Sequence, residues 1–321
     1  MEESIESWLK DIFSVDCETI LKALKLSPSA QGYIHGAISE ILLIEYLKNL
    51  NYEVHRIKEK PSGGFNEKKT GYKGDFLVKK NGTNDFYVVE CKGLKTNSEF
   101  RSAETDDEHE KRLTKQQAYN QLKKFINVDK ESIYNKGYRK YIKAKEQWES
   151  KNTDKKFPEF NWNKNFPGPD NADITPYFKT LQNLKIFIEN CDLTKLSENA
   201  FRKKVGLYKI LQTHKPSGRI DEYTGIEQAA PLSSDFSILA VDLFQRTGKH
   251  EFVFVNPDII AHSPTSPNHL YQNYIIDVLI PGIKDELTIN YPWYTDIDVC
   301  IRESKPKIVT YDKSQIDYRE N

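Results

Sequence analysis

The amino-acid sequence predicts an α/β fold: a mixed sheet flanked by helices, with a helical insertion and a C-terminal α+β region. Residues 75–92 have the pattern of a β-hairpin, with a strand-like run on each side of Asn81-Gly82. The second run, residues 86–92, begins with apolar residues on both faces, as in a strand covered by helices on both sides. Helical apolar spacing precedes the hairpin and returns after residue 101.

The elements before the hairpin are predominantly helical. Residues 3–26 have apolar positions at helical spacing and predict one or two short amphipathic helices that form either a lid or a layer over the core. Residues 33–50 predict a longer, largely buried helix that ends before Asn51. Residues 52–57 then predict a strand.

Glu40 is unusual because it lies within the long, buried helix. It shares a helical face with Gly36, Leu43 and Leu47, so its carboxylate is expected to face the core. A buried carboxylate needs a partner, and a metal ion shared with other acidic residues would supply one. Glu40 is therefore a candidate acidic or metal-orienting residue.

The hairpin brings two acidic residues together in one of its two registers. A four-residue loop at residues 81–84 places Asp75 opposite Glu90, with Cβ atoms roughly 4.5–5.5 Å apart. A two-residue loop would instead place Asp75 opposite Val88. Two adjacent carboxylates repel each other unless one is protonated or a cation lies between them, and Mg²⁺ suits such oxygen ligands.

Lys92 lies two residues beyond Glu90 and therefore on the same face of the strand. The side chain of Cys91 points to the other face, although its backbone carbonyl remains available as a metal ligand. Two carboxylates and an ammonium group thus converge. These groups suit phosphodiester hydrolysis, which needs a metal that activates water and a basic group that orients the water or stabilises developing charge.

The middle of the chain is charged and helical in character. Residues 116–128 and 133–148 have helical spacing, and a cluster of Pro and Gly at residues 166–170 indicates a boundary. We therefore divide the chain into residues 1–165, which hold the N-terminal helices and the core, and residues 166–321, an α+β region. Within the second part, residues 181–188 and 196–211 have helical patterns.

The C-terminal elements are mainly strand-like. Residues 236–244 and 251–255 predict a second hairpin, and residues 262–268 predict a loop. Residues 274–280 are an apolar run that can form either a helix or a strand, and residues 297–301 predict a late strand.

Composition restricts the classes of function. The 321 residues contain 47 Lys plus Arg and 47 Asp plus Glu, so any nucleic-acid surface must be local. There is no apolar run of roughly 18 residues and no signal peptide pattern, so we expect a cytoplasmic protein without a membrane partner. The four cysteines lack a C-x-x-C pair and indicate free thiols. The absence of a phosphate-loop motif argues against a nucleotide triphosphate.

Three motifs together resemble a known family: Gly36-x-x-x-Glu40, Gly74-Asp75 and Glu90-Cys91-Lys92. They are similar to the pattern of the PD-(D/E)XK nucleases, which include many type II restriction endonucleases and repair and recombination nucleases. The resemblance covers roughly residues 30–130. The chain departs from the pattern at Gly74, where the name of the family has proline.

The resemblance implies a restriction-endonuclease-like fold and a specific chemistry. Asp75 and Glu90 would be ligands of Mg²⁺, and Lys92 would be the lysine associated with the attacking water. The implied activity is sequence-specific cleavage of double-stranded DNA that leaves 5′-phosphate and 3′-hydroxyl ends. Because one such site cuts one strand, a double-strand break suggests a homodimer.

Basic side chains outside the hairpin are candidates for contacts with DNA. These candidates are Lys111, Arg112, Lys115, Arg202, Lys203, Lys204, Arg219, Arg246 and Lys249. The last three are expected in turns, from which side chains can enter the major groove. A solvated protein surface explains the same basic residues equally well.

Other interpretations of the motifs remain open at this point. Asp75 and Lys92 can form a structural ion pair, and Glu40 can cap a helix or extend towards solvent. The chain can be a catalytically silent DNA-binding protein of the same fold. It can also be a repair-type nuclease, or one that acts on modified DNA or on RNA.

Overall fold

The computed structural model describes residues 5–58, 72–94, 113–127, 130–160, 173–192, 208–209 and 219–274, and after these 276, 278, 280, 282–283, 286–289 and 291–318. The helices are α1 (Ile5–Phe13), α2 (Cys17–Leu26), α3 (Pro28–Asn49), α4 (Lys115–Leu122), α5 (Lys130–Glu149), α6 (Leu181–Asn190), α7 (Phe244–Thr247) and α8 (Ile297–Ser304). The strands are β1 (Tyr52–Arg56), β2 (Phe76–Lys80), β3 (Phe86–Gly93), β4 (Tyr208–Lys209), β5 (Arg219–Ile220), β6 (Glu227–Gln228), β7 (Ile238–Asp242), β8 (Phe252–Val255), β9 (His262–Ser263), β10 (Ser266–Leu270) and β11 (Asn273–Tyr274).

The central feature is a five-stranded mixed sheet with the strand order β1-β2-β3-β7-β8. The β3 and β7 strands run parallel, and the other neighbouring strands run antiparallel. Both predicted hairpins are therefore present, and the prediction of a mixed α/β fold is confirmed. The sheet draws strands from both sides of the boundary predicted between residues 165 and 166.

Helices cover both faces of this sheet. On one face, Leu43 and Leu47 of α3 pack in a cluster with buried residues of the strands, including Val89 and Cys91. On the other face, Tyr141 and Trp148 of α5 belong to a cluster with the alternate strand residues, which include Leu77, Val88 and Leu239. We call these the α3 face and the α5 face. A third apolar cluster joins α4 and α6.

The long helix α3 begins earlier than the sequence pattern predicts. The Ser27 side chain accepts a hydrogen bond from the Ala30 N–H, and Pro28 occupies the first helical turn, so both residues favour a helix start there. The end agrees with the prediction, because Asn51 has a left-handed backbone with φ of 62°.

Two predictions for short elements are wrong. Residues 297–301 belong to helix α8 rather than a strand, because the Asp296 side chain accepts hydrogen bonds from the N–H groups of Asp298 and Val299. Residues 262–268 are not a simple loop, since β9 and β10 pair there. Four apolar residues in a run of five do not by themselves distinguish a strand from a capped helix.

The N-terminal helices α1 and α2 are present as predicted, but they do not cover the core. Leu9 is the buried residue of α1, and α2 contributes none. Of the helices that the structure describes, none is long and apolar enough to cross a membrane. The predicted helix at residues 196–211 lies outside the described residues except for Tyr208 and Lys209, which pair with β11 as strand β4 and are therefore not helical.

Candidate active site

The register of β2 and β3 is the one that a four-residue loop at residues 81–84 requires. Phe76 pairs with Val89, and Lys79 pairs with Phe86. The predicted loop and register are therefore confirmed for the paired residues, and strand alternation directs Glu90 to the α5 face. Asp75 lies in a bend directly before β2, where its charge acts on Glu90.

The Asp75 carboxylate is held at the end of β3. Its Oδ2 accepts a hydrogen bond of 2.7 Å from the Cys91 N–H, and the Asp75 N–H donates to the Val89 carbonyl at 2.9 Å. The preceding residue, Gly74, allows this close approach. A Cβ atom at Gly74 would lie 2.5 Å from Val88 Cγ1 and 2.9 Å from the Val89 oxygen. The departure from proline in the family pattern thus has a steric reason.

Glu90 and Lys92 form an ion pair on the α5 face, between Nζ and Oε1. Glu90 is buried, whereas the Lys92 side chain is 29% exposed. Burial raises the pKa of Glu90 to about 7; the charge of Asp75 adds to this effect and that of Lys92 opposes it. For Lys92, burial disfavours the ammonium form, but the carboxylates of Glu90 and Asp75 outweigh burial and raise its pKa. Lys92 therefore remains charged at neutral pH.

Cys91 points to the α3 face, as strand alternation predicts. Its thiol packs in the α3-face cluster, and burial raises its pKa well above the usual range. A neutral, buried thiol of this kind is not a nucleophile. Only the backbone of Cys91 is therefore relevant to the site.

The oxygen atoms of Asp75 and Glu90 suit a hard divalent cation. The part of the chain that the structure describes contains no group of three or more His, Cys, Asp or Glu residues able to hold a metal. Mg²⁺ does not require such a group, because it binds through one or two carboxylates and keeps several waters. The charge of Asp75 raises the pKa of Glu90, and a cation between the two would relieve this repulsion. The residues present therefore fit Mg²⁺.

Glu40 lies on the side of α3 near the sheet, where its charge helps to raise the pKa of the buried Cys91, but it is only partly buried. Leu43 and Leu47 are buried as predicted, but the Glu40 side chain is 22% exposed and forms a 2.7 Å ion pair with Arg56 of β1. The buried residue of this turn is Ser39 instead. Because Arg56 partners the carboxylate, the reason for linking Glu40 to a metal is removed.

The structure places four of the nine basic candidates for DNA contacts. Arg219 of β5 is close enough to Glu90 for its charge to lower the pKa of that carboxyl. Lys115 at the start of α4 is exposed and donates to the Glu189 carbonyl. Lys249 is exposed, whereas Arg246 is buried in α7 and cannot enter a DNA groove as predicted. The other five, Lys111, Arg112, Arg202, Lys203 and Lys204, lie outside the described residues.

Sequence patterns did not reveal two charged groups near the ends of β3 and β7. Asp235 forms ion pairs with Lys73 and Arg219. Asp242 accepts a hydrogen bond from Ser39 and lies 2.6 Å from His250 Nδ1. Both groups join residues far apart in the chain, so periodicity carries no signal for them. Among these residues, Lys73 is the one that lies next to a predicted motif in the sequence, because it directly precedes Gly74-Asp75.

Comparisons of the chain with models of protein families, with curated proteins and with solved structures found no significant match.

Proposed function

We propose that this chain is a magnesium-dependent DNA endonuclease of the PD-(D/E)XK type, with Asp75, Glu90 and Lys92 in its active site. The observation that supports the proposal is the pairing of β2 and β3, which brings Asp75 close enough to Glu90 and Lys92 for its charge to act on both, at one end of a five-stranded mixed sheet. The raised pKa values of Glu90 and Lys92 are also typical of groups at functional sites.

Each residue has a distinct role in the proposed mechanism. Asp75 and Glu90, with the Cys91 backbone carbonyl, would hold Mg²⁺ at the end of β3. When bound there, Mg²⁺ would supply Lewis acidity and lower the pKa of a coordinated water. Lys92 stays protonated, so it orients the attacking water and stabilises negative charge on the phosphate rather than acting as a base.

The substrate proposed is double-stranded DNA, and the expected products have 5′-phosphate and 3′-hydroxyl ends. A single site cuts one strand, so double-strand cleavage at a symmetric sequence requires two copies of the chain. We therefore propose a type II restriction enzyme that acts as a homodimer.

The test is incubation of the purified protein with mixed plasmid DNA and Mg²⁺, with EDTA as the control. Discrete fragments of fixed size are expected. A smear or nicked circles would indicate a repair-type nuclease and would contradict sequence-specific restriction. Retarded but intact DNA would indicate a catalytically silent binding protein, and no change of any kind would overturn the proposal.

A further inference from the structure

Asp235 holds two cations beside the candidate active site. Its buried carboxylate lies 3.2 Å from Lys73 Nζ through Oδ1 and 3.4 Å from Arg219 Nε through Oδ2. The Leu232 N–H also donates to Oδ2 at 3.0 Å, which fixes the carboxylate itself. We call Lys73, Asp235 and Arg219 the Asp235 cluster.

The cluster borders the catalytic residues through the chain and the sheet. Lys73 is two residues before Asp75, and the charge of Arg219 acts on Glu90. Asp235 lies three residues before β7, the strand that pairs with β3, and between them the Ser237 N–H donates to the Val88 carbonyl at 2.8 Å. These connections place two basic groups at the edge of the site.

The charges of the cluster do not cancel. Two cations share one carboxylate, which leaves one net positive charge, and the Lys73 and Arg219 side chains are 35% and 36% exposed. Arg219 Nε is a buried donor without a hydrogen bond to the atoms that the structure describes, because its contact with Asp235 lacks the required geometry. A structural ion pair would need only one cation and would satisfy its donors.

A cleft of about 470 Å³ opens on the other side of Asp235, and its lining includes Lys307 and Asp312. Lys73 and Arg219 do not line this cleft, and they reach solvent through their own exposed side chains. Arginine presents several N–H donors in a planar fork that matches phosphate, and lysine binds phosphate as a point charge. The combination suits an anionic phosphodiester group rather than an apolar ligand.

We propose that Lys73 and Arg219, held by Asp235, bind a phosphate of the DNA backbone next to the phosphate that is cut. This inference rests on the proposed function and identifies a subsite for its substrate. It also assigns Arg219 to the backbone instead of the major groove. Phosphate contacts position DNA without reading its sequence, so the subsite contributes affinity and register rather than specificity.

The test measures binding of a fluorescent, mixed-sequence DNA duplex in EDTA over a series of salt concentrations. Arg219→Ala and Lys73→Ala are each expected to reduce the slope of log affinity against log salt by about one. Arg302→Ala is the matched control, because Arg302 is an exposed arginine that also pairs with an acidic residue, Glu303. Arg219→Lys keeps the charge and should restore most of the slope, which separates lost binding from lost folding.

The outcomes separate this subsite from the proposed function. Reduced slopes for both alanine variants, with Arg302→Ala unchanged, would support the subsite even if wild-type protein failed to cut DNA. Unchanged slopes for Arg219→Ala and Lys73→Ala in a protein that still cuts would overturn the subsite alone. Absence of salt-dependent DNA binding by the wild-type chain would overturn both.

Discussion

At the scale of single residues, the interplay of Glu90 with Lys92 and Asp75 determines the electrostatics of the candidate site. Exposed ion pairs contribute roughly 0–1 kcal/mol, whereas breaking a buried pair costs about 3–5 kcal/mol because a charge is left unpaired. The pair of Glu90 and Lys92 lies between these limits, since Glu90 is buried and Lys92 is partly exposed. Removal of Lys92 would raise the pKa of Glu90 further, because only the charge of Arg219 would then oppose burial and Asp75.

The raised pKa of Glu90 predicts a specific dependence of stability on pH. With a pKa of about 7 in the folded state and 4.5 as the reference, Glu90 binds more protons folded than unfolded between these values. The free energy of unfolding of wild-type protein, relative to Glu90→Gln, should therefore fall as pH rises from about 4.5 to about 7. Urea unfolding at a series of pH values measures this difference.

Glu53 provides a control of opposite sign for that experiment. Its hydrogen bond from Lys79 lowers its pKa, so its contribution to stability is present above 4.5 and is lost as pH falls through the folded pKa. The free energy of unfolding of wild-type protein, relative to Glu53→Gln, should thus rise with pH in the acidic range.

The prediction for Glu90 also has a contrary outcome. Parallel curves of unfolding free energy against pH for wild-type protein and Glu90→Gln would show that the pKa of Glu90 is not raised by folding.

Gly74 predicts a steric effect that can be compared with a second glycine. Gly74→Ala should destabilise the protein by about 1–3 kcal/mol, because the new Cβ would overlap Val88 and the Val89 carbonyl. Gly36→Ala, in α3, meets nothing within 4 Å and should stabilise the helix by up to about 1 kcal/mol. Thermal unfolding of both variants measures the contrast, and equal stability of Gly74→Ala and wild-type protein would contradict it.

What the sequence could predict at this scale follows from local geometry. Loop length was sufficient to predict the register of β2 and β3, and strand alternation was sufficient to place Glu90 and Lys92 on one face. The partner of Glu40, Arg56, was not predictable, because helical periodicity identifies a face without identifying what lies opposite it. The Asp235 cluster was missed for the same reason, since Arg219 and Asp235 are far in sequence from Lys73.

At the scale of elements, a buried polar group ties α3 to the sheet. Asp242, at the end of β7, accepts hydrogen bonds from Ser39 Oγ at 2.5 Å and from the Phe244 N–H at 2.9 Å. His250 Nδ1 lies 2.6 Å from the same carboxylate. The position of α3 is therefore fixed by specific polar contacts as well as by Leu43 and Leu47.

This polar group predicts unequal effects of two substitutions. Asp242→Ala should cost about 3–5 kcal/mol, because it removes the acceptor for several buried groups. Ser39→Ala removes one donor and should cost about 1–2 kcal/mol. Urea unfolding gives both values, and their near equality would show that the carboxylate has no role beyond its bond with Ser39.

Elements with strong periodicity or turn signals were predictable, and short elements were not. Both hairpins and the end of α3 follow from alternation, glycine and asparagine. Helix α8 was predicted as a strand because the four apolar residues among positions 297–301 outweighed the capping residue Asp296. In such short segments, the capping hydrogen bonds determine whether a helix or a strand forms.

At the scale of the whole molecule, the sheet and the candidate site combine residues from both halves of the chain. The β3 strand pairs with β7, so residues from beyond the predicted boundary complete the core around Glu90. From the second half, Arg219 acts on Glu90 and Asp235 pairs with Lys73, and both partners belong to the first half. The parallel pairing of strands distant in sequence could not be read from local patterns. Catalysis and DNA binding are thus proposed to share one continuous surface.

The most direct test of the account is the rate of plasmid cleavage in Mg²⁺ by wild-type protein, Asp75→Asn, Lys92→Ala and the remote control Arg302→Ala. Circular dichroism confirms that each variant is folded. We expect wild-type protein and Arg302→Ala to cut at similar rates, EDTA to abolish cleavage, and the two site variants to be slower by about 100-fold or more. Cleavage by Asp75→Asn and Lys92→Ala at the wild-type rate would contradict the assignment of the active site.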